Sequence, residues 1–122
     1  MGYNIHITRK KHWSDQDGPE ISLQEWTDYV KSDPEMRLEG FAQFNNPRTG
    51  ETIRLEGPGL AVWTAHSGKP GIRWFDCRHG HIAVKNPDPE VFAKMWHIAH
   101  ALSAKVQGDD GEIYDQTGNI IG

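Results

Sequence analysis

The chain has 122 residues, 17 Asp and Glu against 13 Lys and Arg, and a formal net charge of -4; that length makes it a single domain, residues 1–122, burying roughly two-thirds of its unfolded surface. Mean hydropathy is -0.70, no apolar run approaches the roughly 20 residues of a membrane span, and "MGYNIHITRKKHW" lacks the basic-then-apolar order of a signal peptide. The single cysteine excludes an internal disulfide, so the expected setting is the reducing cytoplasm, with no membrane partner.

In chain order, "YNIHIT" alternates, with Tyr3, Ile5 and Ile7 on one face and Asn4, His6 and Thr8 on the other. This is the pattern of a half-buried strand, and it places His6 on the solvent side. "HWSDQDGPE" reads as a loop. "ISLQEWTDYVKSDP" carries a helix start: Ser22 with Glu25 forms a capping box, and Ile21 with Trp26 forms a hydrophobic staple across it. Leu23, Trp26 and Val30 share one face, and Asp33-Pro34 ends the helix.

"MRLEGFAQF" and "ETIRLE" are predicted strands joined by the turn-forming "NNPRTG", with Ile53 and Leu55 facing inward. "GLAVWTAH" is apolar on both faces and reads as a central strand, followed by a "SGKPG" loop.

The hairpin "IRWFDCRHGHIAVKN" contains the densest group of reactive side chains, Asp76, Cys77, His79 and His81. A two-residue His79-Gly80 turn pairs Arg78 with His81, Cys77 with Ile82 and Asp76 with Ala83. One face is then Phe75, Cys77, Ile82 and Val84, and the other is Trp74, Asp76, Arg78, His81, Ala83 and Lys85. No shifted register separates apolar from polar side chains so well. It sends Cys77 into the core and His81 away from it, which argues against a Cys/His metal site and against a cysteine nucleophile with a histidine base.

"PDPEVFAKMWHIAHALSAKV" is predicted as a second helix, with Val91, Met95, Ile98, Leu102 and Val106 on its buried side. Ala93, His97, His100 and Ala104 line the opposite side, with Trp96 on one shoulder and Lys94 and Lys105 on the other. A solvated helix face normally carries Glu, Lys or Arg, so this strip suits a partner surface as well as internal packing. His97 and His100 have ligand-compatible spacing but lack the carboxylate of an H-E-x-x-H motif. Gly108 fits a helix stop, and "EIYDQTGNII" a small carboxyl-terminal hairpin.

Residues 1–105 hold all 13 basic residues and 13 of the 17 acids, so the net charge belongs to Asp109, Asp110, Glu112 and Asp115. A basic footprint for nucleic acid is missing. Neither a phosphate loop nor a calcium loop occurs, so no catalytic residue, cofactor or metal is assigned.

Several stretches together, "YNIHITRKKHW", "ISLQEWTDYV", "GLAVWTAHSG", "WFDCRHGHIAVKNPDPE" and "AKVQGDDGEIYD", resemble a family of small, largely uncharacterised bacterial proteins of about this length. The overall type resembles the immunity proteins that bacteria make against polymorphic or contact-delivered toxins. That resemblance implies a non-catalytic domain that binds a cognate toxin. The acidic tail (Asp109, Asp110, Glu112, Asp115) would steer the encounter, and the hairpin face (Trp74, Asp76, Arg78, His81) and helix face (Trp96, His97, His100) would supply contacts. The alternatives are a small enzyme whose site is unreadable here and a homodimeric domain joined through the helix face. The expected fold is α+β: a mostly antiparallel sheet of about five strands with two helices packed on it.

Overall fold

The computed structural model describes residues 4–39, 41–45, 47–65, 74–85 and 87–122, with the backbone alone for 41–45 and 53–56. The predicted "SGKPG" loop and Tyr3 lie outside them. Elements follow in the order β1 (Asn4–Thr8), α1 (Leu23–Ser32), β2 (Met36–Leu38), β3 (Phe41–Asn45), β4 (Thr52–Glu56), β5 (Leu60–Trp63), β6 (Trp74–Arg78), β7 (His81–Lys85), α2 (Pro89–Ala101), β8 (Lys105–Gly108) and β9 (Ile113–Tyr114). The class is α+β with two helices, as expected. The strand count exceeds the expected five: seven strands form one antiparallel sheet, ordered β2-β5-β6-β7-β1-β8-β9, and β3 with β4 forms a separate two-stranded ribbon.

The extra strands arise where local patterns cross a break. "MRLEGFAQF" is not one strand, because β2 pairs with β5 whereas, among the described residues, β3 pairs only with β4. The helical rhythm through Val106 also overran: α2 stops at Ala101, and Ser103 turns the chain with a left-handed φ of 55°. Val106 and Gly108 then belong to β8, antiparallel to β1. A core residue every third or fourth position fits both a helix and a helix followed by an alternating strand, so periodicity alone does not separate them.

The capping box forms as predicted. The Ser22 hydroxyl accepts from the Glu25 backbone N–H at 3.1 Å, and the Glu25 carboxylate accepts from the Ser22 N–H at 3.3 Å. Of the predicted face, Trp26 and Val30 are buried but Leu23 is 42% exposed. Trp26 has no exposure, and its indole N–H donates to the Gly59 carbonyl at 2.8 Å. Gly59 has no room for a side chain, since a Cβ there would sit 2.4 Å from the Cys77 carbonyl oxygen.

The β6–β7 hairpin has the expected register, with Arg78 opposite His81, Cys77 opposite Ile82 and Asp76 opposite Ala83. His79 and Gly80 both take positive φ, 55° and 83°, as a two-residue hairpin turn requires. Phe75, Cys77, Ile82 and Val84 are buried in one cluster with Ile5, Ile7 and Val106 of the neighbouring strands and with Trp26, Val91, Met95 and Ile98 of the helices. Both helices therefore cover one face of the sheet.

Replacing Trp26 by Phe leaves the Gly59 carbonyl without its indole donor and a void beside it. The expected cost is about 2 kcal/mol, measured as a fall in the urea midpoint; an unchanged midpoint would contradict the anchoring role.

Candidate functional site

The face of the sheet opposite the helices is not the solvated surface that its polar pattern suggests. Register places Gln107, His6, Ala83, Asp76 and Leu60 side by side across β8, β1, β7, β6 and β5. His6 is 2% exposed and Gln107 also 2%. The segment after β1 causes this burial. Trp13 stacks on the His6 ring at a centroid distance of 3.9 Å and an angle of 9°. Its backbone N–H donates to Gln107 Oε1 at 2.7 Å and its indole N–H to the Asp109 carbonyl at 3.1 Å. Gln107 returns hydrogen bonds to the carbonyls of Lys11 and Gly111. The expected solvent-side position of His6 is thus corrected by a long-range contact.

Asp109 completes this arrangement. Its Oδ1 lies 2.8 Å from His6 Nε2 and its Oδ2 accepts from the Asn4 backbone N–H at 2.9 Å. His81 stands edge-on to His6 at 4.9 Å and to Trp13 at 5.5 Å. Burial, with the His6 ring beside it, pushes the His81 imidazole down to about 4. Burial also lowers His6, against the opposing pull of Asp109. Asp76 accepts from Arg78 Nε at 2.7 Å through Oδ2. Trp74 is half-buried and Arg78 exposed on the same face. On the other face Cys77 is buried, and burial pushes its thiol up to about 12, so it is no nucleophile at neutral pH.

The remaining tail acids are held in local turns. Glu112 accepts from the Asp110 N–H and the Tyr114 hydroxyl. Asp115 accepts from Thr117 and Asn119, and these hydrogen bonds hold its carboxyl below its ordinary value. Their charges stay near the surface, whereas Asp109 is committed to His6.

A second site lies on the helix side and was not anticipated. A cleft of about 710 Å³ opens between the end of α1, the start of β2, the end of β5 and α2. Lys94, predicted on a helix shoulder, is 8% exposed at its base. Its ammonium donates to Asp33 Oδ2 at 2.7 Å and Glu35 Oε1 at 2.9 Å, and lies 5.8 Å from the centre of the Trp63 ring. The Tyr29 hydroxyl donates to Asp33 at 2.6 Å and the Trp63 indole to Glu35 at 3.2 Å. Burial raises Asp33, but the hydrogen bonds from Lys94 and Tyr29 outweigh it and hold the carboxyl below its ordinary value. Lys94 and then Trp63 do the same for Glu35. Glu90, Ala93 and His97 complete the wall. The carboxylates flanking Pro34, at the exit of a helix, were the available signal in the sequence. Nothing local marked Lys94 as their partner across 61 residues.

The predicted helix face divides. Ala93, His97 and His100 are exposed, as is Ala101, which was not part of the predicted strip, and Trp96 stacks on His100 at 4.1 Å while packing partly against the core. Ala104 lies beyond the end of α2 and packs against the core instead. Among the described residues, no group of three or more His, Cys, Asp or Glu side chains is placed to hold a metal ion, and no helix is long and apolar enough to cross a membrane. Comparison with protein-family models, curated proteins and solved structures finds no match.

The His81 environment sets a pH dependence. Its folded value of about 4 is depressed below the ordinary 6.5, so the unfolded chain binds the proton first as pH falls. This contribution is whole above about 6.5 and is lost toward about 4, on the order of 2 kcal/mol after allowing for solvent screening. Urea titrations at pH 7 and pH 5 are expected to show that loss, and His81→Gln is expected to flatten it. Equal slopes for the two proteins would refute the assignment. Lys94→Met leaves the half-buried Asp33 beside the exposed Glu35 without a cation, and is expected to cost about 1 kcal/mol at pH 7 after allowing for solvent screening, measured by the same denaturation.

Proposed function

We propose that this domain works by binding another protein, in the manner of an immunity protein that neutralises a cognate bacterial toxin. One observation carries the reading. α2 has 13 residues, yet its exposed positions, apart from Pro89 at its start, are Ala93, His97, His100 and Ala101, with no Lys, Arg, Asp or Glu among them. Helix faces that only meet water are normally charged, whereas interface centres are depleted of charge and enriched in aromatic side chains. The Trp96–His100 stack supplies such an aromatic element beside the strip.

The strip runs into the cleft through Ala93 and His97. There the three carboxylates of Asp33, Glu35 and Glu90 stand against one lysine, a formal balance of -2. A chain of net charge -4 with an acidic cleft beside a weakly charged face complements a basic partner. The charge would speed encounter and the face would hold the complex. Asp110, Glu112 and Asp115 add to the steering field, while Asp109 contributes through the fold.

A second reading, a small enzyme using the cleft, is favoured by the convergence of Asp33, Glu35, Lys94 and Tyr29. It differs in requiring a small molecule that the cleft binds and converts. In a third, the same helix face joins two copies of the chain.

Co-purification with the product of an adjacent toxin gene, and rescue of cells expressing that toxin, test the leading reading. The double variant His97→Glu/His100→Glu is expected to keep its melting temperature and weaken binding at least tenfold, about 1.4 kcal/mol. Failure of the unaltered protein to bind and protect would end the reading. A dimeric mass in solution that the same variant abolishes would transfer the face to self-association.

A further inference from the structure

Residues 10–17 lie against the sheet face opposite the helices, and their hold on it is concentrated at one side chain. The Trp13 ring stacks on His6 at 3.9 Å and meets the edge of His81 at 5.5 Å, while the two imidazoles stand 4.9 Å apart. One indole thus covers two groups of the kind that titrates near neutrality. Its hydrogen bonds from the backbone to Gln107 and from the ring to Asp109 are made only while it lies there.

The charges around the two imidazoles are uneven. His6 has the Asp109 carboxylate at 2.8 Å, and His12 opposes its charging. His81 has no such acid: His6 from β1, His79 from the turn and Lys10 from the covering segment all oppose a positive charge on it, against one hydrogen bond to the His79 backbone. Arg78 stands opposite His81 on β6, and Asp76 on that strand is paired with it. Lys10 is 3% exposed, with its ammonium on the Asp15 carbonyl and 3.3 Å from Glu20. The segment therefore brings His81 both a cover and a cation, and both leave if it lifts.

We propose that residues 10–17 form an acid-released strap: a proton on His81 places a cation beneath the Trp13 ring beside His6 and Lys10, and Trp13 then lifts from the sheet face. Burial, with the His6 ring beside it, holds His81 down to about 4 while the strap is closed. Lifting returns it toward its ordinary 6.5, so the lifted form takes up the proton first as pH falls. Closure is whole above about 6.5 and weakens toward about 4. The Arg9 end stays tied through that range, because Arg9 donates to the Leu102 carbonyl and its guanidinium holds the Glu25 carboxyl down to about 2. The strap is separate from the cleft and the α2 face, so it stands whether or not a protein partner is found.

Amide hydrogen exchange of the 15N-labelled full-length chain tests this. The Trp13 N–H is freed when the strap lifts, whereas the Cys77 N–H, held on the Gly59 carbonyl at 3.1 Å within the sheet, is freed only when the domain opens. Corrected for intrinsic rates, Trp13 is expected to be protected at least about tenfold less than Cys77 at pH 7. Its protection is expected to fall by a further factor on the order of ten at pH 5, and His81→Gln, which cannot take the proton, is expected to hold that fall within about twofold. Equal protection of Trp13 and Cys77 would mean that the segment opens only with the whole domain, and would overturn the proposal. So would constant Trp13 protection between the two pH values, or an undiminished fall in His81→Gln. The two readings on the unaltered chain decide the matter if that variant does not fold.

Discussion

The two-residue turn at His79-Gly80 is the constraint on which the rest of the sheet depends. Positive φ at both residues leaves the hairpin one register, in which Cys77 meets Ile82 and Asp76 meets Ala83. Because side chains alternate at a period of two, that choice propagates to every strand hydrogen-bonded on either side. β1 joins β7 with Ile5 and Ile7 on the Val84 and Ile82 face, and β5 joins β6 with Ala61 on the Phe75 face. The apolar set they form is the floor onto which α1 and α2 pack. Gly80 itself is confined, since a Cβ there would meet the Glu20 side chain at 2.7 Å, and its carbonyl accepts from the Ile21 N–H, tying the turn to the entry of α1.

The opposite face follows a different economy. A sheet with helices on one side only would leave its polar face to water, but here the segment after β1 folds back over it. Lys10 is buried by this return, with its ammonium on the Asp15 carbonyl and near Glu20, and Arg9 ties the segment to Leu102 and Glu25. Polar side chains that would have been solvated become a hydrogen-bonded layer, anchored by Gln107 and Asp109 across about 95 residues of chain. Such layers are favourable only when satisfied, and here Trp13, Gln107, His6 and Asp109 supply one another's partners.

How much of this was legible in the sequence varies with the range of the interaction. The Ser22–Glu25 capping box, the hairpin turn and its register, and the inward direction of Cys77 all depend on residues within ten positions of one another, and the structure agrees with each. The break between β2 and β3 and the end of α2 at Ala101 were misjudged because the neighbouring pattern continues smoothly across both. Lys94 and His6 were misplaced for another reason. Each looks like a surface residue on its own element, and each is buried by groups from elsewhere in the chain: Asp33, Glu35 and Trp63 for the lysine, Trp13 and Asp109 for the histidine.

The candidate surfaces divide in the same way. That α2 carries an uncharged strip with a tryptophan at its edge is a property of residue order along a helix, and composition alone established the acidity of the chain. Alternation and turn chemistry also determined that Cys77 and His81 part company, which removes the most reactive-looking group of residues from consideration. Only the tertiary structure decided that the strip borders an acidic cleft and that Asp109 orients a buried histidine. Local sequence encodes the direction of a side chain through backbone periodicity. What that side chain meets depends on contacts whose partners are brought together only by the closing of the sheet.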